Sequence, residues 1–315
     1  MDLRQLRSLV VLMDSDLNMS RAAERLHLVQ SAVSQHLSRL EQELGVRLFV
    51  RQGKRLVAPT AAGERVLQYA REALSIQDNI LAVGRDHRDD QNGILRIGTT
   101  HAQACYVLPP VIRAFRQRYP KVALQIHQGT PTQLVEMALT DGVDFSICTE
   151  ALGEHSALAV VSCFRWNRSL IAPAGHPVLE RRPLSLEALC EYPLISYVFG
   201  FTGSNHMRTS FARQGLQPNL VLSAADTDVI KTYVREGLGV GLIASLAYCA
   251  QTDGDLEVRE LSHLFPWETT LVAYRKEKYL RHFQQCFIEL LQAMLGENGR
   301  LLPEVEGLCR GSSHR

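Results

Sequence analysis

The chain has 315 residues, of which 46% are hydrophobic and 21% charged, a balance typical of folded globular proteins with two or three domains. The formal net charge of +1 is uneven, because residues 1–60 carry nine basic and six acidic side chains. No apolar run of about eighteen residues occurs, and acids interrupt the N-terminus, so we predict neither a membrane span nor a secretion signal. We expect a cytoplasmic protein whose N-terminal segment is locally basic.

Seven cysteines and eleven histidines form no spacing that predicts a disulfide or metal site. The cysteine number is odd, and no CxxC or HExxH pattern occurs, so the cysteines are interpreted as reduced core residues. His101, His127 and His176 are interpreted as structural or surface residues, and no metal or other cofactor is expected. No GxSxG motif appears, and Gly237–Gly241 follows a helical pattern instead of a strand. These patterns argue against an enzyme.

Two short amphipathic helical patterns lie close together between Ser20 and Phe49, with three or four residues between them. Such a short connection forces an angular pair, the helix-turn-helix. The predicted apolar faces contain Ala22, Ala23, Leu26, Val33, Leu37, Leu40 and Leu44. The outward face of the second helix contains Gln30, Ser31, Ser34, Gln35 and Arg39. Amides, hydroxyls and a guanidinium match the base edges of the major groove, although a polar face of this kind is also common on merely solvated helices.

A short ribbon follows the second helix and favours the DNA-binding interpretation. Gly45 is placed to end the helix, and two apolar dipeptides, Leu48-Phe49 and Leu56-Val57, read as its strands. Basic residues at the ribbon turn suit contacts with phosphates. We therefore assign residues 1–59 to a winged helix-turn-helix. Its candidate DNA-binding residues are Ser20, Gln30, Ser31, Ser34, Gln35, Arg39, Arg51, Lys54 and Arg55.

Residues 60–90 predict a long linker helix that ends in a hinge. Thr60 is a plausible N-cap, and the charged run 85–93 has no apolar face. Apolar residues recur at near-heptad spacing, which favours pairing with a second helix. The predicted dimerisation residues are Val66, Ala70, Leu74 and Leu81. A surface helix packed on its own domain is the alternative.

The N-terminal segment also resembles a known family. The sequence AAERLHLVQSAVSQHLSRLEQELGVRLFVR, followed by TAAGE at Thr60–Glu64, is similar to the winged helix-turn-helix of LysR-type transcriptional regulators. Two positions depart from the family pattern. Val29 replaces a Ser or Thr that would cap the reading helix, at a cost of about 1 kcal/mol, and Gln35 replaces a residue that is commonly basic.

From residue 91 onward, short β-rich runs alternate with helical ones, which predicts two α/β lobes with mostly parallel sheets. We place the first lobe at about 93–162 and 268–295, the second at about 163–267, and a loosely ordered tail from 296 to 315. Ligands of open α/β sheets bind at the carboxyl ends of strands and at helix starts. The neutral donors at such positions are Thr99, Thr100, Gln103, Thr149 and Thr202. Any one of these threonines can also be explained as a local cap.

The strings TTHAQACYVLPPVIRAF, FGFTGS and ADTDVIKTYVREGLGVGLIAS resemble the effector domain of the CysB branch of LysR-type regulators, which control sulfur assimilation. The resemblance implies two Rossmann-like lobes of the type 2 periplasmic-binding-protein kind, preceded by the winged helix-turn-helix and linker helix. It also implies sulfate, thiosulfate or an O-acetylserine- or N-acetylserine-like effector held by Thr100, Gln103, Thr149 and Thr202. Ala102 and Ser204 replace donors of the family, which favours a small anion or serine-derived ligand over sulfate.

Together these features predict a ligand-responsive transcription regulator. Its expected partners are double-stranded DNA with dyad symmetry, a small co-inducer, further copies in a homodimer or homotetramer, and RNA polymerase. No membrane partner is expected. A cytoplasmic small-molecule binding protein without a DNA function is the alternative from another class, and a metabolic enzyme on the same scaffold is a weaker one.

Overall fold

The computed structural model describes residues 1–53, 55–198 and 203–294. Lys54, Thr202 and the predicted tail lie outside these residues. The chain divides into two compact units, one of Met1–Arg88 with Glu277–Tyr279 and one of Asp89–Lys276 with Leu280–Arg315. Within the described ranges, no helix is long and apolar enough to cross a membrane.

The first unit contains the predicted winged helix-turn-helix. Its elements are α1 (Leu3–Met13), α2 (Met19–Arg25), α3 (Gln30–Leu44), β1 (Phe49–Gln52), β2 (Arg55–Pro59) and α4 (Ala61–Arg88). The core joins α1, α2 and α3 through Leu9, Ala22 and Leu37, which are at most 2% exposed. Leu44 was expected on this apolar face but is 37% exposed, because the helix ends there and Gly45 turns the chain with φ +68°.

The helix starts differ in their caps. Asn18 accepts hydrogen bonds from two backbone N–H groups at the start of α2, whereas Val29 offers no side-chain cap to α3. Thr60 caps α4 as predicted, since its Oγ1 accepts from Gly63 N at 3.0 Å. The sequence therefore locates both the capped and the uncapped helix starts.

Helix α4 is built into the core of the first unit over its first turns. A Cβ on Gly63 would lie 2.0 Å from the carbonyl oxygen of Leu48, so only glycine allows this approach. Ala70 is 1% exposed, and Val66 and Leu74 pack against the same core. Much of the predicted dimerisation seam thus packs on its own unit, which is the alternative left open by the sequence. The exposed apolar residues of α4 are instead Tyr69, Ile76, Ile80, Leu81 and Val83.

The first lobe of the second unit contains one five-stranded sheet. Its strands are β3 (Gly93–Thr99), β4 (Val122–Gln128), β5 (Phe145–Cys148), β6 (Leu158–Trp166) and β12 (Glu268–Arg275), in the order β4-β3-β5-β12-β6. Its helices are a π-helix at Gln103–Val107, α5 (Leu108–Arg118), α6 (Pro131–Leu139), a 3-10 turn at Leu152–Glu154 and α10 (His282–Met294). Phe115, Phe145 and Phe287 lie in the core between α5, the sheet and α10.

The second lobe has a five-stranded sheet of its own. Its strands are β7 (Arg168–Pro173), β8 (Leu194–Tyr197), β9 (Leu220–Ala224), β10 (Val240–Ala244) and β11 (Leu256–Glu260), in the order β11-β7-β10-β8-β9. Its helices are α7 (Leu186–Cys190), α8 (Ser204–Arg213), α9 (Thr227–Arg235) and 3-10 turns at Pro177–Leu179 and Ser245–Ala247. Leu170, Leu242 and Phe211 belong to its core.

Both sheets are mixed, where mostly parallel sheets were expected. In the first lobe, β3 is parallel to β4 and β5, but β12 is antiparallel to β5 and β6. In the second, β7 is antiparallel to β10 and β11. The chain passes from the first lobe to the second after β6 and returns to the first lobe at β12. The antiparallel strands lie next to these two crossings.

The first crossing is at Asn167, later than the expected boundary near residue 162, because β6 continues without a break to Trp166. Asn167 is 3% exposed. Its Nδ2 donates to the carbonyl oxygen of Phe265 at 3.0 Å. Phe265 precedes β12, so this bond ties the two crossing segments together.

Candidate functional site

The outward face of α3 presents the predicted DNA-reading side chains to solvent. All five of its predicted residues are exposed, while Val33, Leu37 and Leu40 on the opposite face are buried. Within the described part of the chain, no hydrogen bond or ion pair engages the five side chains. Their donors and acceptors are therefore open to another molecule. These residues are Gln30, Ser31, Ser34, Gln35 and Arg39.

The remaining predicted DNA contacts surround this face. Ser20 is exposed at the start of α2, and Arg55 is exposed on β2. Arg51 on β1 pairs with Glu41 of α3, with 2.9 Å between Nη2 and Oε2, and the other oxygen of Glu41 accepts from Leu48 N at 2.9 Å. Glu41 thus fixes the ribbon against α3. Lys54 lies outside the described residues.

The second candidate site is the interlobe cleft, which we define by Thr100, Gln103, Thr149, Glu150 and Ser204. The first four residues follow β3 and β5 of the first lobe, and Ser204 begins α8 of the second. Leu271 pairs with Cys148 in the sheet, so Thr270 of β12 lies next to Thr149. The carboxyl ends of strands and a helix start thus meet here, as the sequence reading expected.

The predicted residues contribute unequally to this cleft. Thr99 is fully buried, and its Oγ1 donates to the carbonyl oxygen of Ile147 at 3.1 Å. That bond ties β3 to β5, so we give Thr99 a structural role in place of the expected effector contact. Thr100 is 8% exposed. Thr149 accepts a hydrogen bond from Trp166 Nε1 at 3.3 Å. Thr202 lies outside the described residues.

Three buried oxygens of the cleft have no hydrogen-bond partner among the described residues. They are Gln103 Oε1, Glu150 Oε2 and Ser204 Oγ. The amide of Gln103 is held by its Nε2, which donates to Thr270 Oγ1 at 3.1 Å. Buried polar groups without a partner are uncommon and carry a desolvation cost. Their concentration in one cleft indicates a place for a polar ligand.

Glu150 is the cleft residue that sequence reasoning did not select. Its Oε1 accepts from the backbone N–H of Gly203, so a carboxylate of the first lobe contacts the start of α8 in the second. Burial raises the pKa of the Glu150 carboxyl to about 7, the Gly203 hydrogen bond opposes this rise, and Glu268 adds to it. The sequence signal that could have identified Glu150 is its position directly after Thr149, which was predicted to lie at the end of a strand.

A buried ion pair lies beside this contact. Arg168 Nη2 and Glu268 Oε1 are 3.1 Å apart, with side chains 1% and 3% exposed. His206 of α8 contacts the other oxygen of Glu268 at 2.8 Å. Gly203 has φ +70°, and a Cβ there would lie 2.3 Å from both Arg168 Nη2 and Glu268 Oε1. The ion pair thus requires a glycine before α8 and fixes the position of the helix start.

Profiles of known protein families match both parts of this chain. Residues 3–64 match the bacterial regulatory helix-turn-helix protein profile of the lysR family, and residues 88–296 match the LysR substrate binding domain. The chain belongs to the LysR family of transcriptional regulators. The family resemblance of the N-terminal segment and the predicted fold class are confirmed.

Full-length relatives agree with this assignment. The HTH-type transcriptional regulator CysB of Burkholderia cenocepacia is 40% identical over 305 residues, which cover 97% of each chain. The HTH-type transcriptional regulator SsuR of the same organism is 39% identical over 310 residues, covering 98% of this chain and 99% of that protein. The solved cofactor-binding domain of the Cbl transcriptional regulator is 39% identical with a TM-score of 0.63, and covers 70% of this chain and 94% of that one.

Proposed function

We propose that this LysR-family regulator controls genes of sulfur metabolism in response to a small polar effector bound in the interlobe cleft. The observation that carries the effector proposal is the group of unpartnered buried oxygens on Gln103, Glu150 and Ser204. The similarity to CysB, SsuR and Cbl regulators supports the sulfur-related role.

The chemistry of the cleft favours a zwitterionic, serine-derived effector. Thr100 and Ser204 offer hydroxyl donors to a carboxylate, whereas Glu150 offers an acceptor with a negative charge above its pKa of about 7. An ammonium group satisfies a buried carboxylate, while a divalent anion such as sulfate is repelled by it. O-acetylserine carries both a carboxylate and an ammonium group, and N-acetylserine lacks the ammonium. We therefore place O-acetylserine first among the candidate effectors.

Calorimetry on the full chain tests this assignment. O-acetylserine, N-acetylserine, sulfate and thiosulfate are titrated at pH 6 and pH 7.5, using fresh solutions. O-acetylserine is expected to bind more tightly at pH 7.5, because more Glu150 is ionised, and to lose about tenfold in affinity in Glu150→Gln. Sulfate and thiosulfate should show the opposite pH dependence, since a protonated Glu150 no longer repels them.

The control is Glu136→Gln, which changes an exposed glutamate of α6 away from the cleft. The effector assignment fails if none of the four compounds binds. It also fails if binding is the same in Thr100→Val and Glu150→Gln as in the unmodified chain. Tight sulfate binding that is insensitive to pH would exclude the ammonium–Glu150 contact while leaving the cleft as the effector site.

For DNA binding, we propose that the exposed face of α3 reads bases in the major groove and that basic residues of the wing contact phosphates. The side chains of this face are exposed and have no hydrogen-bond or ion-pair partner among the described residues, which supports the proposal. The helix-turn-helix profile over residues 3–64 supports it as well. Footprinting at fixed salt tests it with Gln30→Ala/Ser34→Ala, and Gln117→Ala, at an exposed position of α5, is the control. Specific protection should be lost in the double variant alone; unchanged protection contradicts the assignment.

We further propose that α4 pairs with α4 of a second copy, so that two α3 helices face a dyad-symmetric site. Tyr69, Ile76 and Val83 are exposed and recur every seven residues. Exposed Ile80 lies between the last two, and Ala73, which is half-buried and also packs on the core of its own unit, lies between the first two. This is the a/d spacing of a two-helix seam. Among the predicted dimerisation residues, Leu81 is exposed beside this stripe. Association into tetramers and contact with RNA polymerase remain part of the proposal.

Ultracentrifugation tests the pairing of α4. Ile76→Glu/Ile80→Glu is expected to reduce the oligomer to a smaller species, because two charges would enter the apolar seam. Glu72→Gln, at an exposed position on the same helix, is the control. An unchanged sedimentation coefficient in the double variant would exclude this face as the dimer contact.

A further inference from the structure

Three potential metal ligands meet where the π-helix of the first lobe approaches α9 of the second. His101 and Cys105 are separated by one helical turn, and Asp228 lies in the first turn of α9. His101 Nε2 is 2.8 Å from Asp228 Oδ2 and 3.5 Å from Cys105 Sγ. The ligand atoms of all three residues lie within 4.8 Å of one another. From the sequence, His101 was interpreted as a structural or surface residue because no metal-ligand spacing was recognised, and Asp228 is distant along the chain.

One of the three ligand separations already fits a tetrahedral ion, and a second is close to it. A sulfur about 2.3 Å and a nitrogen about 2.0 Å from tetrahedral zinc lie roughly 3.5 Å apart. The separation of Cys105 Sγ and His101 Nε2 has this value. A nitrogen and an oxygen ligand lie about 3.3 Å apart in the same geometry, so His101 and Asp228 need to separate by about half an ångström when an ion replaces their hydrogen bond. Rotations of these partly exposed side chains provide that movement.

The surroundings of Asp228 leave one of its oxygens for an ion. Tyr106 donates its hydroxyl hydrogen to Asp228 Oδ1, so Oδ2 is directed towards His101. A hydrogen bond of this kind orients a ligating carboxylate. The nearby cation Lys231 is paired with Asp253 at 2.6 Å, and Asp253 also contacts Arg235 at 3.0 Å. Arg235 is paired with Asp255 as well, so two carboxylates balance these two cations and Lys231 opposes a bound cation less.

We propose that His101, Cys105 and Asp228 bind one Zn²⁺ ion, with a fourth position for water or a small ligand. A thiolate, a neutral imidazole and a carboxylate form a ligand set suited to zinc. The thiolate and carboxylate together balance the charge of the ion, and the thiol proton passes to solvent on binding. Because two ligands belong to the first lobe and one to the second, the ion links the lobes next to Thr100 of the interlobe cleft.

Metal titration of the full chain tests this site. The protein is treated with a chelator and then titrated with ZnCl₂ alone, and the bound metal is counted by atomic emission. CoCl₂ replaces zinc in a second titration, because Co²⁺ bound to a thiolate gives a near-ultraviolet charge-transfer band. The variants are Cys105→Ser and Asp228→Asn. The control is Cys190→Ser, which changes a partly exposed cysteine elsewhere in the second lobe.

One Zn²⁺ per chain is expected in the unmodified protein and in Cys190→Ser. Cys105→Ser should lose the cobalt charge-transfer band and weaken zinc binding at least about 100-fold, because it removes the softest ligand. Asp228→Asn should keep the band but bind zinc more weakly. Thermal unfolding without metal checks that each variant folds. The proposal is overturned if the unmodified chain binds no zinc, or if Cys105→Ser and Cys190→Ser bind it equally.

Discussion

The outward face of α3 and the interlobe cleft differ in how exposed their polar side chains are and in which contacts hold them. On α3, the five outward residues are exposed and have no partners among the described residues, while a separate apolar face packs the helix. In the cleft, Gln103, Glu150 and Ser204 are at least partly buried. Gln103 is held by Thr270 of the same lobe, and the contact of Glu150 with Gly203 also joins the two lobes. Recognition and stability are thus separated on α3 and combined in the cleft. Substitutions should affect binding alone in the first region, but binding and stability together in the second.

The largest effect is expected for Arg168→Met, which breaks the buried pair with Glu268. Removing Arg168 leaves the buried Glu268 carboxylate with the exposed side chain of His206 in place of a buried cation, so the unfolding free energy should fall by about 3–5 kcal/mol. Urea unfolding followed by tryptophan fluorescence is suitable, because the Arg168 guanidinium lies 5.6 Å from the Trp166 ring centroid. Arg181→Met breaks an exposed pair with Glu191 and should change the unfolding free energy little, because solvent screens exposed ion pairs. Equal effects of the two substitutions would contradict the distinction.

Glu150→Gln should change how stability depends on pH. The pKa of Glu150 is raised to about 7 from an ordinary value of 4.5, so the folded state binds its proton more tightly. This contribution is full below about pH 4.5, declines as the pH rises to about 7 and is lost above, an effect of up to about 3 kcal/mol. The variant lacks the titrating group. The difference in urea midpoint between unmodified chain and variant, measured at pH 5 and pH 8, should therefore vary with pH.

The same measurement on Glu136→Gln provides the matched control, because Glu136 is exposed on α6. A pH-independent difference for Glu150→Gln would mean that the carboxyl titrates normally. In that case the titration of Glu150 would no longer support the view that cleft residues contribute to both binding and stability.

On α3, Gln35→Ala should weaken specific DNA binding by about 1–3 kcal/mol, the range for a lost base contact, and leave the melting temperature unchanged. Fluorescence anisotropy at fixed salt and thermal unfolding measure the two quantities. Gln117→Ala, exposed on α5, should change neither. A fall in melting temperature with Gln35→Ala would show that this face also stabilises the unit.

The smallest effect is expected at the start of α3. Val29 is 68% exposed and provides no side-chain cap, so Val29→Ser should stabilise the first unit by about 0.5–1 kcal/mol. Val57→Ser, at a position 46% exposed on β2, should give no such gain. Urea unfolding of both variants makes the comparison. A loss of stability with Val29→Ser would indicate that the valine has contacts worth more than the cap.

Local patterns were enough to predict the first unit. Its helices, their short connection and the Thr60 cap follow from residues close together in sequence, and all occur in the structure. The linker seam shows where this fails. Near-heptad spacing identifies an apolar face, but it does not distinguish packing against α1 of the same chain from packing against a second copy. Ala70 therefore lies in the core of its own unit, and Tyr69 is exposed.

The cleft was predicted as a region but not as a set of contacts. Strand ends and a helix start located Thr100, Gln103 and Thr149, because topology places such positions together. The partner of Gln103 is Thr270, which is 167 residues away, and no local pattern connects them. Glu150 was passed over because its burial depends on the closeness of the two lobes. The same reason hid the approach of Asp228 to Cys105.

The close approach at Gly63 bears on how a signal reaches DNA. With the start of α4 packed against Leu48 and its next turns buried through Leu67 and Ala70, the helix is mechanically continuous with the body that holds α3. A twist applied to α4 is therefore expected to turn α3 by a similar angle. Gly63→Ala should loosen that coupling by forcing α4 away from Leu48.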